Sequence, residues 1–169
     1  KIPGSATLPS LTRRVMRFLD NPALRVRTWY EPIAKAIIHN LCHGVIRLIV
    51  DGSKVGFGHQ LLIVAIAYRK RSIPLAWTWV KGSRGHSSSW KQKALLMYVH
   101  GLIPAKTGVI LIGDSEFGRV EVLKLLKKWH WEHVLRQKGR NLVKLKGQRN
   151  FQRLDSLVNK PGQSRWLPN

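Results

Sequence analysis

The sequence predicts a mixed α/β sheet, and three observations carry that expectation. The apolar spacing switches from helical to strand-like at Val45. Beyond it, short aliphatic runs and helical stretches follow one another as three strands, helix, strand, helix, strand. Turn residues mark each change. With 169 residues, of which 44% are hydrophobic, the chain suits one ordinary domain, or a domain with an appendage, around a sizeable core.

Residues 10–44 read as helical. Leu11, Val15, Phe18 and Leu19 share one face, with Ser10 or Thr12 as a cap, and Asn21-Pro22 breaks the pattern. A second stripe, Trp29, Ile33, Ala36, Ile37 and Leu41, ends near His43-Gly44. His39, Cys42 and His43 cluster there, but three candidate ligands without a fourth read as helix-end residues rather than a zinc site.

Val45 to Val50 is the first strand, closing on Asp51-Gly52-Ser53. Gly56 and Gly58 lead into Leu61 to Ala67; no Gly-Lys-Ser/Thr follows them, so they form a turn and not a nucleotide loop. Ile73, Leu75, Trp77 and Trp79 alternate as a third strand, and Pro74 puts it at a sheet edge, because proline cannot donate to a ladder. Short turns join the three as an antiparallel meander. Ser89 and Gln92 have the form of a capping box for a helix through Tyr98, with Gly101 and Pro104 as stops. Val109 to Ile112 is a strand ending in Gly113-Asp114-Ser115. Phe117, Val120, Leu123, Leu126 and Trp129 mark the next helix, Trp131 to Leu135 a fifth strand, and Leu142 to Leu145 and Phe151 to Leu154 shorter pieces. The organisation is therefore a helical segment over 1–44, a core over 45–140, and the start of an inserted or linking segment over 141–169.

Charge narrows the partner. Thirty Lys and Arg stand against eight Asp and Glu, a formal net charge of +22, spread along the whole chain with seven Trp interleaved. Such a protein calls for a polyanion, and nucleic acid is the usual one inside a cell. The aliphatic run Leu61–Ala67, seven residues, is far short of the ~20 that span a bilayer, and no membrane partner is expected. The single cysteine fits a reducing compartment. Lys54, Arg69, Lys81, Arg84, His86, Arg136, Lys138 and Arg140 are the candidate contacts to a nucleic-acid backbone, DNA or RNA. Each basic cluster taken alone reads equally as a solvated face.

Two of the scarce acids close the most apolar strands: Leu48-Ile49-Val50-Asp51-Gly52 and Leu111-Ile112-Gly113-Asp114-Ser115. A carboxylate at the end of a parallel strand lies where open α/β sheets place their sites. If the two strands are neighbours, the carboxylates converge, and a divalent cation relieves their repulsion. From the pattern alone, each aspartate reads more readily as a turn or helix cap than as a metal ligand.

At these residues the chain resembles the bacterial insertion-sequence DDE transposases of the cut-and-paste type. The likeness rests on Leu48 to Ser53, on Ala65 to Arg71 with Ile73 to Trp77, on Ile112 to Gly118, and on Trp129-His130-Trp131 leading into Val134 to Gly139. The resemblance implies an RNase H-like mixed five-stranded sheet flanked by helices, with the first two acids on its adjacent first and fourth strands. It implies Asp51 and Asp114 as catalytic ligands of Mg²⁺ or Mn²⁺, two ions in the complete enzyme. It further implies cleavage and strand transfer of DNA, acting on transposon ends and target, in a homodimeric synaptic complex in the bacterial cytoplasm at the nucleoid. The family's third acid, a glutamate on a later helix, has no match: Glu116, Glu121, Glu132 and Asp155 are all misplaced for it, and it is expected beyond Asn169. The alternative is a truncated or repurposed transposase that binds nucleic acid without cutting.

Overall fold

The computed structural model describes residues 7–41, 44–56, 58–81 and 87–157. Cys42, His43, Arg84 and His86 lie outside them. The chain forms two compact units, 1–42 and 43–169.

The first unit holds helices α1 (Leu8–Leu19) and α2 (Val26–Leu41). Helix α1 starts earlier than its apolar face suggests. Its N-cap is Thr7 with Pro9 just inside, where a missing N–H costs nothing, and Thr12 bonds back to the Leu8 carbonyl instead of capping. In α2 the buried face is turned by about one residue from the expected stripe. Ala34 and Ile38 are fully buried, Tyr30, Ile37 and Leu41 half-buried, and Trp29, Ile33 and Ala36 exposed. Apolar residues cover more than one side of this helix, so two overlapping 3.6-residue stripes fit the sequence and only packing selects between them.

The second unit is built on strands β1 (Val45–Val55), β2 (His59–Tyr68), β3 (Arg71–Lys81), β4 (Gly108–Gly113) and β5 (Glu132–Leu135), in the order β3-β2-β1-β4-β5. β1 to β3 are the expected antiparallel meander, and β4 and β5 run parallel to β1. This is an α/β, RNase H-like mixed sheet flanked by helices, with its first and fourth strands adjacent. Pro74 is on the edge strand as expected, at a register shift opposite Val64 and Ala65. One strand outruns its sequence signal. β1 continues through Asp51-Gly52-Ser53 to Val55, and the chain reverses only at Gly56 and Gly58, both at positive φ.

Helices α3 (Ser89–Leu102) and α4 (Val120–Lys128) pack on each other, α3 also on β2 and β3, and α4 on β5. Side chains alternate across a strand, so Ile46, Leu48 and Val50 of β1, Leu62 and Val64 of β2, and Val109 and Leu111 of β4 share one buried face. Leu95, Leu96, Val99, Val122 and Leu126 complete this core. The opposite face is more open, with Ile49, Ile63 and Ile112 half-buried and Trp79 and Val134 exposed. The cap of α3 is Ser88 rather than Ser89, its hydroxyl accepting from Lys91 N–H, and Gln92 turns inward instead of closing a capping box. A two-stranded ladder, β6 (Leu142–Val143) with β7 (Gln152–Arg153), precedes a short 3₁₀ turn over Leu154–Leu157. Among the described residues no helix is long and apolar enough to cross a membrane.

Candidate metal and phosphate site

The register of the parallel strands builds the site. Val50 of β1 pairs with Gly113 of β4, and Gly113 with Leu135 of β5. One residue further on, Asp51, Asp114 and Arg136 form the next row, and the Arg136 N–H donating to the Gly113 carbonyl at 3.1 Å continues the ladder. Val50, Gly113 and Leu135 face the helices: a Cβ on Gly113 would stand 2.8 Å from Val50 and 3.1 Å from Leu135. The alternation of β1 therefore sends Asp51 to the open face, and Asp114 and Arg136, just past the ends of β4 and β5, are both exposed.

Each carboxylate has one oxygen held. Ser53 Oγ donates to Asp51 Oδ2 at 3.3 Å, and Glu116 N–H donates to Asp114 Oδ1 at 2.8 Å in an Asx turn. The second oxygen of each is free of hydrogen bonds to the described residues. Asp114 is not a helix cap, since α4 begins after Arg119, and Asp51 is not a turn residue, since β1 runs through it. Two exposed, oriented carboxylates on neighbouring strands form a hard-oxygen donor set. That set suits Mg²⁺, which is commonly held by one or two carboxylates with water and phosphate completing its shell. Among the described residues no third acid, His or Cys joins them.

The candidate DNA contacts fall into two groups. Arg136 is in the acid row, and Lys138 and Arg140 follow it in sequence and line an open groove of about 1400 Å³ together with Ser115 and Glu116. Lys54 and Lys81 lie at the same end of the sheet, near the ends of β1 and β3, both exposed. Arg69 does not join them. It sits in the β2–β3 turn at positive φ, over the Tyr68 ring at 5.2 Å, on the opposite end of the sheet. Asp51 pairs with Ile63, so Arg69 is about 20 Å further along β2 at ~3.3 Å per residue.

Glu116 is the buried acid beside this row that sequence reasoning misses. Its spacing from Asp114 is too short for the family's third acid, yet it is only 8% exposed, on the helix-covered side of the sheet. Ser87 N–H and Ser87 Oγ donate to Glu116 Oε1 at 2.6 and 2.5 Å, and Gln60 Nε2 donates to Oε2 at 3.3 Å. Gln92 Nε2 donates to the Glu116 carbonyl at 3.3 Å. A side chain on Gly52, the residue after Asp51, would collide with Gln60 Nε2 and stand 3.3 Å from Glu116 Oε2. The one available sequence signal is an acid two residues after Asp114 in a chain with only eight acids. Asp155 is occupied elsewhere: it accepts from Arg153 Nε at 3.0 Å, and that partner holds its carboxyl below the usual carboxylate range.

No family model and no curated protein matches the sequence. Solved structures to which the chain is similar include the catalytic domain of Mos1 mariner transposase, at 12% identity and a TM-score of 0.39 over 79% of this chain and 63% of that one. They also include the Mos1 transposase catalytic domain with raltegravir and Mg, at 13% identity and a TM-score of 0.37 over 63% and 58% of the two chains. With raltegravir and Mn the same domain matches at 12% identity and 0.36, over 78% and 62%. The chain thus spans about three fifths of the length of those domains. The likeness is loose, and the site rests on its own register and donor chemistry.

Proposed function

We propose that the chain carries the first two acids of a DDE transposase core, a metal-dependent phosphoryl-transfer site acting on DNA. The observation behind this reading is the row Asp51, Asp114, Arg136 at the ends of three parallel strands. Asp51 and Asp114 would hold Mg²⁺ or Mn²⁺, two ions in the complete enzyme, which when bound activates water or a 3′-hydroxyl and neutralises phosphate charge. Ser53 Oγ–H and Glu116 N–H fix which oxygen of each carboxylate faces outward. Arg136, whose backbone continues the ladder beside Asp114, would offer a planar, permanently charged donor fork suited to a phosphate oxygen pair. Lys138, Arg140, Lys54 and Lys81 extend positive charge along the same end of the sheet, while Arg84 and His86 belong to the same proposed surface by sequence. The partner is duplex DNA, at transposon ends and target, engaged by a homodimer in the bacterial cytoplasm at the nucleoid.

A second reading is a non-cutting nucleic-acid-binding derivative. It is favoured by the lack, among the described residues, of a third acid beside the pair, with Glu116 committed to the other side of the sheet. A Mg²⁺-dependent nicking assay on this chain, and on one extended past Asn169, separates the two. The leading reading expects the extended chain to nick DNA and the chain ending at Asn169 to do so weakly or not at all. Nicking that survives Asp51→Asn together with Asp114→Asn removes the catalytic assignment. An extended chain that binds DNA but never nicks it favours the second.

A further inference from the structure

We propose that Glu116 is a positioning residue whose buried carboxylate fixes the turn carrying Asp114 and ties it to β2 and to the start of α3. In its bearing on metal the inference rests on the function proposed above.

Burying a carboxylate costs several kcal/mol unless its lone pairs are satisfied. In a chain of +22 the simplest partner would be one of the thirty Lys and Arg. Among the described residues Glu116 takes none of them: its partners there are the neutral donors Ser87 and Gln60. An apolar side chain would fill that volume without the desolvation cost. The carboxylate supplies directed acceptance instead: from Ser87 just ahead of α3 and from Gln60 on β2, elements far apart in sequence. Both of its bonds from Ser87, one from the backbone N–H and one from the hydroxyl, end on a single carboxylate oxygen, Oε1.

The backbone of the same residue completes the link. Glu116 N–H donates to Asp114 Oδ1, and the Glu116 carbonyl accepts from Gln92. Asp114 is exposed and the Glu116 carboxylate is buried on the covered side, so the turn carries the chain from one to the other at the end of β4. A shift of the Glu116 side chain moves the N–H that sets the Asp114 carboxylate. Gly52 gives the arrangement its room, since any Cβ there would displace Gln60. The residue after one acid is thus shaped to admit the group that orients the other.

The test compares wild type, Glu116→Gln, Ser87→Ala, and the exchanged pair Glu116→Gln with Gln60→Glu. In Glu116→Gln an amide N–H₂ meets Gln60 Nε2, donor against donor. The exchanged pair restores a donor–acceptor match at unchanged net charge. Two readouts are taken well below melting: hydrogen exchange of the backbone amides of residues 87 and 116, and Mn²⁺ affinity by electron paramagnetic resonance of the free ion. Glu116→Gln should speed exchange at both amides about tenfold or more, the consequence of removing one buried hydrogen bond. It should also weaken Mn²⁺ binding by about 10- to 100-fold, the range for residues that orient metal ligands. Ser87→Ala should act in the same direction and less, and the exchanged pair should recover most of both effects. Unchanged exchange in Glu116→Gln, or no recovery in a folded exchanged pair, overturns the proposal. So does faster exchange with unaltered Mn²⁺ affinity in a protein whose binding needs Asp51 and Asp114. A wild type that binds no Mn²⁺ overturns the functional reading instead, and the exchange measurements then decide the hold of Glu116 on the turn by themselves.

Discussion

Asp51 and Asp114 each follow one half of the parallel pair Val50–Gly113, which brings two of the eight acidic residues to the same end of adjacent strands. Neighbouring strands are about 4.8 Å apart. Two charges at about that separation repel by about 1 kcal/mol in bulk water and by more where the sheet screens them less. Without metal, Asp51→Asn combined with Asp114→Asn should therefore raise stability by about 1 kcal/mol, read as a higher Tm in chelator. Adding Mn²⁺ should reverse the order, stabilising wild type by about 2.7 kcal/mol at a hundredfold excess over Kd and leaving the variant unmoved. A Tm that responds equally in both proteins would place the metal elsewhere.

The two groups of basic residues should separate in salt. The slope of log affinity for duplex DNA against log salt falls by about 0.9 for each phosphate the protein no longer neutralises. Replacing Arg136, Lys138 and Arg140 by Ala should flatten the slope by up to about 2.7 if each meets one phosphate. Charge reversal at Lys81 and Arg84 should flatten it too. Arg69→Ala, at the far end of the sheet, should leave it where it was. Fluorescence anisotropy over a salt series reads all three, and an equal effect from Arg69 would count against the acid end as the DNA face.

Gly113 sits directly beneath the acid row, where a methyl group would press on Val50, Leu135 and Phe117 at 2.8 to 3.2 Å. Gly113→Ala should cost about 1–3 kcal/mol in urea unfolding through overpacking. Because the strain falls between β1, β4 and β5, it should also weaken Mn²⁺ binding. A neutral substitution would mean the row tolerates being spread.

Phe117 is fully buried and follows Glu116 in the turn, its N–H donating to the Asp114 carbonyl at 3.3 Å. Phe117→Ala should destabilise by about 3–5 kcal/mol, the range for emptying an aromatic site in a core. Denaturant titration checks this, and a change below about 1 kcal/mol would show that the cavity collapses.

Asp155 offers a pH check outside the site. The hydrogen bond from Arg153, followed by burial acting the other way and the Arg153 charge, holds its carboxyl below the ordinary carboxylate range. A depressed folded pKa means that the pair's contribution is present above the ordinary carboxylate value and is lost as pH falls through the folded one. Carboxylate NMR should show Asp155 titrating low in wild type and in the ordinary range in Arg153→Ala.

The sequence carries the sheet well and the covered side of the site poorly. The change of period at Val45, the edge mark of Pro74 and the repeated aliphatic-then-acid pattern at Asp51 and Asp114 are local, and they locate the strands. The order of the first three strands follows from how closely their runs succeed one another, whereas the adjacency of β1 and β4 comes only from the family resemblance, since the parallel pairing joins residues as far apart in sequence as Val50 and Gly113. Helix α2 is harder, because Ile33 and Ala34 belong to overlapping stripes and only packing distinguishes them. Glu116 is not legible in that way. Its burial depends on Gln60, 56 positions away, and on Ser87, 29 positions away. No window of neighbouring residues contains all three. The inward turn of Gln92 escapes for a related reason: a serine with a glutamine three residues on is a sound capping signal, and a buried carbonyl competes for the same amide.

β1 does not end at Asp51. It stays paired to β2 from Leu48 through Val55, so Asp51 is clamped in mid-ladder between residues locked to Ile63 and its neighbours. Asp114 has left β4 and stands in a four-residue turn. One carboxylate is thus held by a ladder and the other by the side chains that tie down its turn, Ser87, Gln60 and Gln92 acting through Glu116. Spacing between the two is set on one side by sheet register and on the other by contacts from elements distant in sequence.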